Sequence, residues 1–383
     1  MKPAIRVLVL FGNVPLLGQE RGNIDVLDAL QKKGAEVLFL IREEWTRDTI
    51  QAELARRNLR WTTVPFFDAL RKGHGPWVWI RNLAGIVGGS LQLLRWHWKF
   101  RPTHLHVSSV SNTVNFLPAL LLVRTPLIYR AGDDITLHHW FWRAIWRFTR
   151  WRTDRFAAIS RFIAERLIDN GVAAEKISLV SNISPPRTAN AEKHELQISK
   201  EADKCTFVYV GQLTHQKGVD LLVEAAIAHC RHSEKTRFVI AGDFSWENDL
   251  AVALKHKVEG LGLSERILFV GYTQDVSGLL SECDVHICPS VGTEAYGNVV
   301  IEAKQESLPS IIFPTGGLQE LVADGVNGWV CKTKTQEALI EAFAYYEKNP
   351  EMIALQGVAA MASLTDLGAG RFDKDWQEVY ENV

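Results

Sequence analysis

Several patterns that would settle a function at once are missing from this chain. No GxxxxGK[ST] string is present, which excludes a P-loop, and no GxGxxG follows an apolar run, which argues against a dinucleotide-dependent dehydrogenase. No window holds the roughly 18 uninterrupted apolar residues that a membrane-spanning helix needs. The apolar start of MKPAIRVLVLFGNVP is short and runs into charge, so it reads as a first strand and not as a signal peptide. There is no CxxC pair. The five cysteines, Cys205, Cys230, Cys283, Cys288 and Cys331, are odd in number and all lie in the second half. That usage fits reduced buried thiols and a cytoplasmic setting better than a disulfide framework or a zinc site. No RNP, helix-turn-helix or zinc-finger pattern points to nucleic acid. No DxD stands at a strand end, and the bare pair Asp133-Asp134 is poor ground for a metal site, so none is expected.

What is present is a folded, two-domain composition. Of the 383 residues, 47% are hydrophobic and 23% charged, and that length exceeds the usual single core. A net charge of −1 conceals an asymmetry: residues 71 to 155 carry thirteen Lys or Arg against three Asp and no Glu. The same stretch holds eight of the thirteen tryptophans, Trp77, Trp79, Trp96, Trp98, Trp140, Trp142, Trp146 and Trp151. Interleaved Arg and Trp, as in HHWFWRAIWRFTRWR, suits a helix lying at an anionic lipid surface; it equally suits a core-facing aromatic stripe with solvated arginines. Two such helices in one domain favour the membrane surface.

Short β-branched runs alternate with longer helical patterns, the mark of parallel sheets wound with crossover helices. The first series is RVLVLF (6–11), EVLFLI (36–41), TTVPF (62–66), HLHVSS (104–109), PLIYRA (126–131), RFAAIS (155–160) and KISLVS (176–181). The second is FVYVG (207–211), RFVIAG (237–242), ILFVG (267–271), VHICP (285–289), SIIFP (310–314) and GWVC (328–331). This predicts two α/β domains, 1–185 and 201–365, joined by a polar linker at 186–200, with a helix near 366–383 returning to the first. Two doubly wound domains with facing strand ends would enclose a cleft, the place where such folds bind ligands.

Three loops in the second domain carry chemistry. In GQLTHQKGVDLLVEA, Gly211 and Gly218 bracket an excursion ending in Lys217 at a helix N-terminus, a phosphate site in outline. Taken alone, Lys217 reads as readily as a solvated lysine in a tight turn. In TEAYGNVVIEA, Gly297, Asn298 and Val299 open a helix with outward amides. Glu302 lies a turn and a half in, and Glu294 ahead of it, so the two carboxylates could grip different parts of a polyol. Individually each reads as an ordinary surface acid. PTGGLQELVADGVNGWV opens a third helix at Gly316-Gly317. Three such helix starts suit a diphosphate without a metal ion.

GQERG (18–22), SRFIAERL, Ser181-Asn182, GQLTHQKG, the spaced pair Glu294 and Glu302, and GGLQELVADGVNGWV together resemble a retaining GT-B glycosyltransferase of family 4, over nearly the whole chain. These are transferases of envelope polysaccharide and glycolipid assembly. The resemblance implies a GT-B fold and transfer of a sugar from a GDP- or UDP-sugar, as co-substrate and without a cofactor, to a lipid-linked saccharide at the inner face of the membrane. It implies that Lys217 binds the diphosphate, Glu294 the sugar hydroxyls and Glu302 the ribose. The loop Ala295, Tyr296, Gly297, Asn298 and Val299 would lend amides, with Gly211 and Gln212 beside the phosphates, Gly18 allowing close backbone approach, and Tyr272 near the base. The chain departs from the pattern in two places: Gln212 stands where Arg is usual, and the histidine usual after PLIY is absent, the sequence reading RAGDD. Asp133 is assigned to that position, orienting the acceptor. A nucleotide-sugar epimerase of similar architecture and a weakly active partner subunit are the alternatives.

Overall fold

The computed structural model describes residues 4–12, 18–42, 50–66, 76–137, 139–180, 203–243, 248–365 and 369–383. The chain divides into two compact units, Met1–Ser184 with Ala369–Val383, and Pro185–Gly368. Residues 181–200, which include Ser181-Asn182 and the expected linker, lie outside the described ones.

The first unit alternates strand and helix: β1 (Arg6–Phe11), α1 (Gly18–Lys32), β2 (Glu36–Arg42), α2 (Ile50–Arg56), β3 (Arg60–Val64), α3 (Pro76–Phe100), β4 (His104–Val107), α4 (Val110–Asn115) and α5 (Leu117–Leu122). It continues through β5 (Leu127–Ala131), α6 (Trp140–Arg152), β6 (Arg155–Ala158), α7 (Arg161–Asp169) and β7 (Ile177–Leu179). All seven strands are parallel, in the order β3-β2-β1-β4-β5-β6-β7. Val7 to Leu10 and Val37 to Ile41 are fully buried, because a strand covered on both faces must be apolar at every position.

Strand ends differ from the sequence reading for identifiable reasons. β3 spans Arg60–Val64 instead of 62–66, since Pro65 lacks the N–H that would extend the ladder. HLHVSS stops at Val107, and the Ser109 hydroxyl caps α4 by accepting from Asn112 N at 3.2 Å. RFAAIS stops at Ala158, and Ser160 caps α7 in the same way, at 3.1 Å from Ile163 N.

The second unit runs β8 (Cys205–Val210), α8 (Val219–Cys230), β9 (Thr236–Ala241), α9 (Asn248–Gly260), β10 (Ile267–Gly271), α10 (Val276–Ser281) and β11 (Val285–Cys288). Then come α11 (Asn298–Gln305), β12 (Ser310–Ile312), α12 (Leu318–Leu321), β13 (Gly328–Val330), α13 (Gln336–Lys348) and α14 (Pro350–Ala362). Its six strands are again parallel, ordered β10-β9-β8-β11-β12-β13. The rings of Phe207, Phe238 and Phe343 lie with centroids within 5.1 Å of one another and fill one side of this sheet. The five cysteines are free thiols, four of them buried.

The last helix, α15 (Ala369–Glu381), belongs to the first unit and packs on α1, where Lys33 pairs with Asp373 at 3.3 Å. Its Tyr380 reaches His106 in β4: His106 Nδ1 lies 2.5 Å from Tyr380 Oη, and His106 Nε2 lies 3.0 Å from Asn23 Oδ1 of α1. Burial, reinforced by the Arg130 charge, pulls His106 down to about 3, so the ring is neutral. The end of the chain is thereby tied to the middle of the first sheet.

Candidate active site

Both sheets switch winding direction between the first strand and the fourth of their unit, and loops at the carboxyl ends of those strands are where such folds bind ligands. In the second unit these are the loops after β8 and β11. The chain leaves β8 at Gly211, and the Tyr209 hydroxyl donates to Gln212 O at 2.6 Å, fixing the start of the loop. A single 3-10 turn, His215–Lys217, then delivers the chain to Gly218 and α8. Gly218 adopts φ +69°, and a Cβ there would lie 2.0 Å from Pro289 O. Only glycine satisfies both the left-handed backbone and the close approach of the two loops. The Pro289–Gly292 side reciprocates: Val291 N and Gly292 N both donate to Gln216 O, at 3.0 and 2.8 Å.

This clasp brings together two residues 77 positions apart. Lys217 Nζ donates to Glu294 Oε1 at 2.5 Å, and Ser290 Oγ donates to the same oxygen at 2.6 Å. Lys217 remains about a third exposed and Glu294 less so, at 34% and 14%. A pair this open adds on the order of 1 kcal/mol or less to stability. Yet the backbone beneath it is closely specified. Gly316 sits at φ +50° with room for no Cβ, which would lie 2.0 Å from Glu294 O, while Gly317 N donates to that oxygen at 2.8 Å. Glycine-only packing closed around a charged pair that adds little stability marks a site more than a core. Burial first and the Glu294 charge second push the thiol of Cys288, beside the pair, up to about 12.

Past Glu294, the loop passes Ala295 and the buried Tyr296 to Gly297, which caps α11. Asn298 and Val299 are its first two residues, whose amides have no carbonyl one turn earlier in the helix. Glu302 is its fifth, partly exposed. The third anticipated helix start is weaker than the sequence suggested, because α12 is a single turn of four residues and its dipole is correspondingly small. Tyr272 follows β10 and is exposed, two strands away from β8 in the sheet order.

The first unit contains the other two sequence-derived site residues. Gly18 is the first residue of α1, and the neighbouring Gln19 holds that helix to β4 through Nε2 donating to Ser108 O at 2.8 Å. Asp133 lies exposed two residues beyond β5. Arg130, at the end of that strand, is buried within its own unit; burial pulls it down to about 10, against the opposing charges of Asp133, Asp25 and Glu20, so it stays cationic at neutral pH. Asp134 pairs instead with Arg166 at 2.8 Å.

Sequence reading missed four residues that shape the site. Ser290 shares the Glu294 carboxylate; its only signal was a hydroxyl four positions earlier, just past β11. Lys334 braces the same loop, with Nζ donating to Val291 O at 2.9 Å. Thr315 Oγ1 donates to Gly292 O at 3.1 Å. Lys304, wholly buried in α11, donates to Leu321 O at 2.5 Å and to Ser363 Oγ at 2.7 Å, and burial pulls its ammonium down to about 8. The single DxD string of the chain, Asp373-Lys374-Asp375, lies in α15 and is taken up in ion pairs, Asp373 with Lys33 beside α1 and Asp375 with Arg371. Among the described residues no three His, Cys, Asp or Glu side chains come together as a metal site.

Residues 18–182 match the family described as glycosyl transferase 4-like domain, and residues 190–357 match glycosyl transferases group 1. Among curated proteins, the chain is 36% identical over 126 residues to the Vi polysaccharide biosynthesis protein VipC/TviE of Salmonella typhi, covering 33% of this chain and 21% of that protein. It is 33% identical over 153 residues to the lipopolysaccharide core biosynthesis mannosyltransferase LpcC of Rhizobium leguminosarum bv. viciae, covering 39% and 43%. In both cases the match spans less than half of the relative's length. Among solved structures, a glycosyltransferase from Rickettsia africae ESF-5 superposes with TM-score 0.80 at 17% identity over 99% of this chain and 98% of that one. The Anabaena protein HepE in complex with UDP and glucose superposes with TM-score 0.75 at 19% identity over 99% of both. The two glycosyl transferase domain matches adjoin in this order on a pair of parallel-sheet units, and the fold is the GT-B fold.

Proposed function

We propose that the protein moves a sugar from a GDP- or UDP-sugar to a hydroxyl of a lipid-linked saccharide, with retention at the anomeric carbon and without a metal ion. The observation that carries this reading is the contact of Lys217 with Glu294 at 2.5 Å, on loops held together by Gly218 and Gly316. On donor binding Lys217 turns to the diphosphate, joined by the first amides of α11, and Glu294 is released to accept from the sugar hydroxyls. Glu302 accepts from the ribose. The leaving diphosphate takes the proton of the attacking hydroxyl. Catalysis is then mainly stabilisation of charge growing on the β-phosphate, done by groups already in place. With Gln212 where a second cation is usual, Lys217 carries more of that load. Asp133 in the first unit orients the acceptor. The mannosyltransferase of lipopolysaccharide core assembly and the structure holding UDP and glucose support the donor and acceptor classes. The acceptor would be met at the cytoplasmic face of the membrane by an enzyme that rests on it.

The test is a panel of nucleotide sugars scored by release of nucleoside diphosphate and by the product formed. Net transfer with the donor's anomeric configuration kept, unaffected by a chelator, is the expected result. Formation of a sugar epimer without transfer, or no release from any donor, would overturn the reading.

A further inference from the structure

α3 is put together inside out. A surface helix normally buries its larger apolar side chains and shows water its small and polar ones. Here the face turned into the unit is Asn82, Gly85, Gly89, Ser90 and Leu93, all buried. Gly89 is pressed so closely on Asn115 and Pro65 that a Cβ would lie 2.5 Å from Asn115 Nδ2 and 2.9 Å from Pro65 O. The opposite face shows Ile80, Leu83, Val87, Leu91 and Trp98, each between 47% and 79% exposed. At about 100° per residue these five fall within an arc of roughly 80°. They form one continuous stripe along the helix. α5 packs against α3 and adds Leu121 and Leu122, 55% and 70% exposed.

Charge says what covers this face. Residues 69 to 132 contain no Asp or Glu, while Arg95, Lys99, Arg101 and Arg124 sit at the ends of the two helices. Lys99 Nζ lies 4.9 Å from the Trp96 ring, an indole and a cation together as at a headgroup boundary. A second copy of the chain would bring cation against cation. No helix among the described residues is long and apolar enough to cross a membrane, so the stripe suits an element lying in the interface.

The other tryptophan-rich helix is built differently. In α6, Trp146 is buried with Nε1 donating to Asn170 O at 2.8 Å, and Arg152 is buried with donors on Leu120 O, Val123 O and Thr125 O. Its middle serves the core. The side chains of Trp77 and Trp79 lie outside those described.

We infer that α3 and α5 form the face by which the protein docks on an anionic lipid bilayer, with Leu83, Val87, Leu91 and Trp98 entering the headgroup layer and Arg95, Lys99 and Arg124 meeting lipid phosphates. The inference rests on the proposed lipid-linked acceptor and gives it a place of delivery. It is tested by sedimentation of the full chain with phosphatidylglycerol-containing and with pure phosphatidylcholine vesicles, at low and high salt. Binding is expected on the anionic vesicles only, weakened by salt, and reduced at least about tenfold in Val87→Glu/Leu91→Glu. Both residues are exposed, so the variant should melt with the wild type. Wild type that ignores anionic vesicles, a variant that binds as well as wild type, or a wild-type dimer that the two substitutions dissolve would each overturn it. Donor turnover with a water-soluble acceptor is measured in parallel and should be equal in wild type and variant. Loss of that turnover in both would count against the transferase reading and leave the vesicle result standing.

Discussion

His106 and His286 occupy the same station in two sheets. Each lies on the strand beside the first strand of its unit, in β4 and β11, each is fully buried, and burial holds each ring neutral, down to about 3. Their partners differ. His106 is held on both nitrogens, by Tyr380 from the far end of the chain and by Asn23 of α1. His286 meets only a neighbour, Ser310 Oγ at 3.0 Å through Nδ1, and its Nε2 has no hydrogen-bond partner among the described residues. The first unit spends polar groups of its sheet on fastening its own helices. The second leaves its sheet simply packed and places its charged pair, Lys217 and Glu294, in the loops beyond. One topology thus serves anchoring in one half and, on the proposed reading, chemistry in the other.

If that contrast is right, substitutions of the Lys217–Glu294 pair should strike turnover and those of the His106 network should strike stability. The largest effect is expected for Lys217→Ala and Glu294→Ala: a fall in kcat of about a hundredfold or more each, with melting temperature nearly unchanged. Because the two touch, the double variant should lose much less than the product of the single losses. Near-wild-type turnover in either single variant would break the comparison. Gly316→Ala should cost roughly 2 kcal/mol or more in denaturant unfolding and lower kcat as well, since the added Cβ must displace the backbone of Glu294. A loss of stability with turnover intact would show that the loop does not position the carboxylate.

Tyr380→Phe is the converse experiment. Removing the hydroxyl leaves His106 Nδ1 buried without its partner, for a cost of about 1 to 3 kcal/mol. Release of nucleoside diphosphate by the folded variant should stay within about twofold of wild type; a hundredfold loss would move the anchoring network into the catalytic machinery. A last effect concerns acid. Each buried histidine has a folded pKa below the ordinary 6.5, so between 6.5 and about 3 the unfolded chain takes up a proton that the folded one refuses. Stability must therefore fall as pH drops through that window and be unaffected by these groups above it. His286→Leu removes one of the two, and the loss of stability between neutral pH and pH near 4 should shrink by about 1 to 3 kcal/mol. An unchanged acid profile would mean that the ring already charges in the folded protein.

Much of the architecture was readable because two-sided burial leaves no choice of residue. RVLVLF and EVLFLI are apolar at almost every position, and both are central strands. The adjustments were local: Pro65 ends a ladder, and Ser109 and Ser160 become helix caps where strand was expected. The candidate site was legible as separate motifs, but its closest contact was not. Nothing in GQLTHQKG or TEAYGNVVIEA says that Lys217 and Glu294 meet, or that Ser290 shares the carboxylate, because that contact is made by folding two distant loops against each other through Gln216, Pro289 and Gly316. α3 was open in a different sense. Its sequence suited a core-facing stripe and a lipid-facing one equally, and only its glycines, which allow so close an approach to Pro65 and Asn115, show that the helix turns its bulk outward.

Sequence alone determined the strands, the helices between them and the motif-bearing loops, since these follow from side-chain burial and backbone preference over a few neighbouring residues. Tertiary structure alone decided which acid meets the lysine, which histidine receives the last helix and which face of α3 meets solvent. Those are contacts between residues tens to hundreds of positions apart, and short-range sequence pattern carries no term for them.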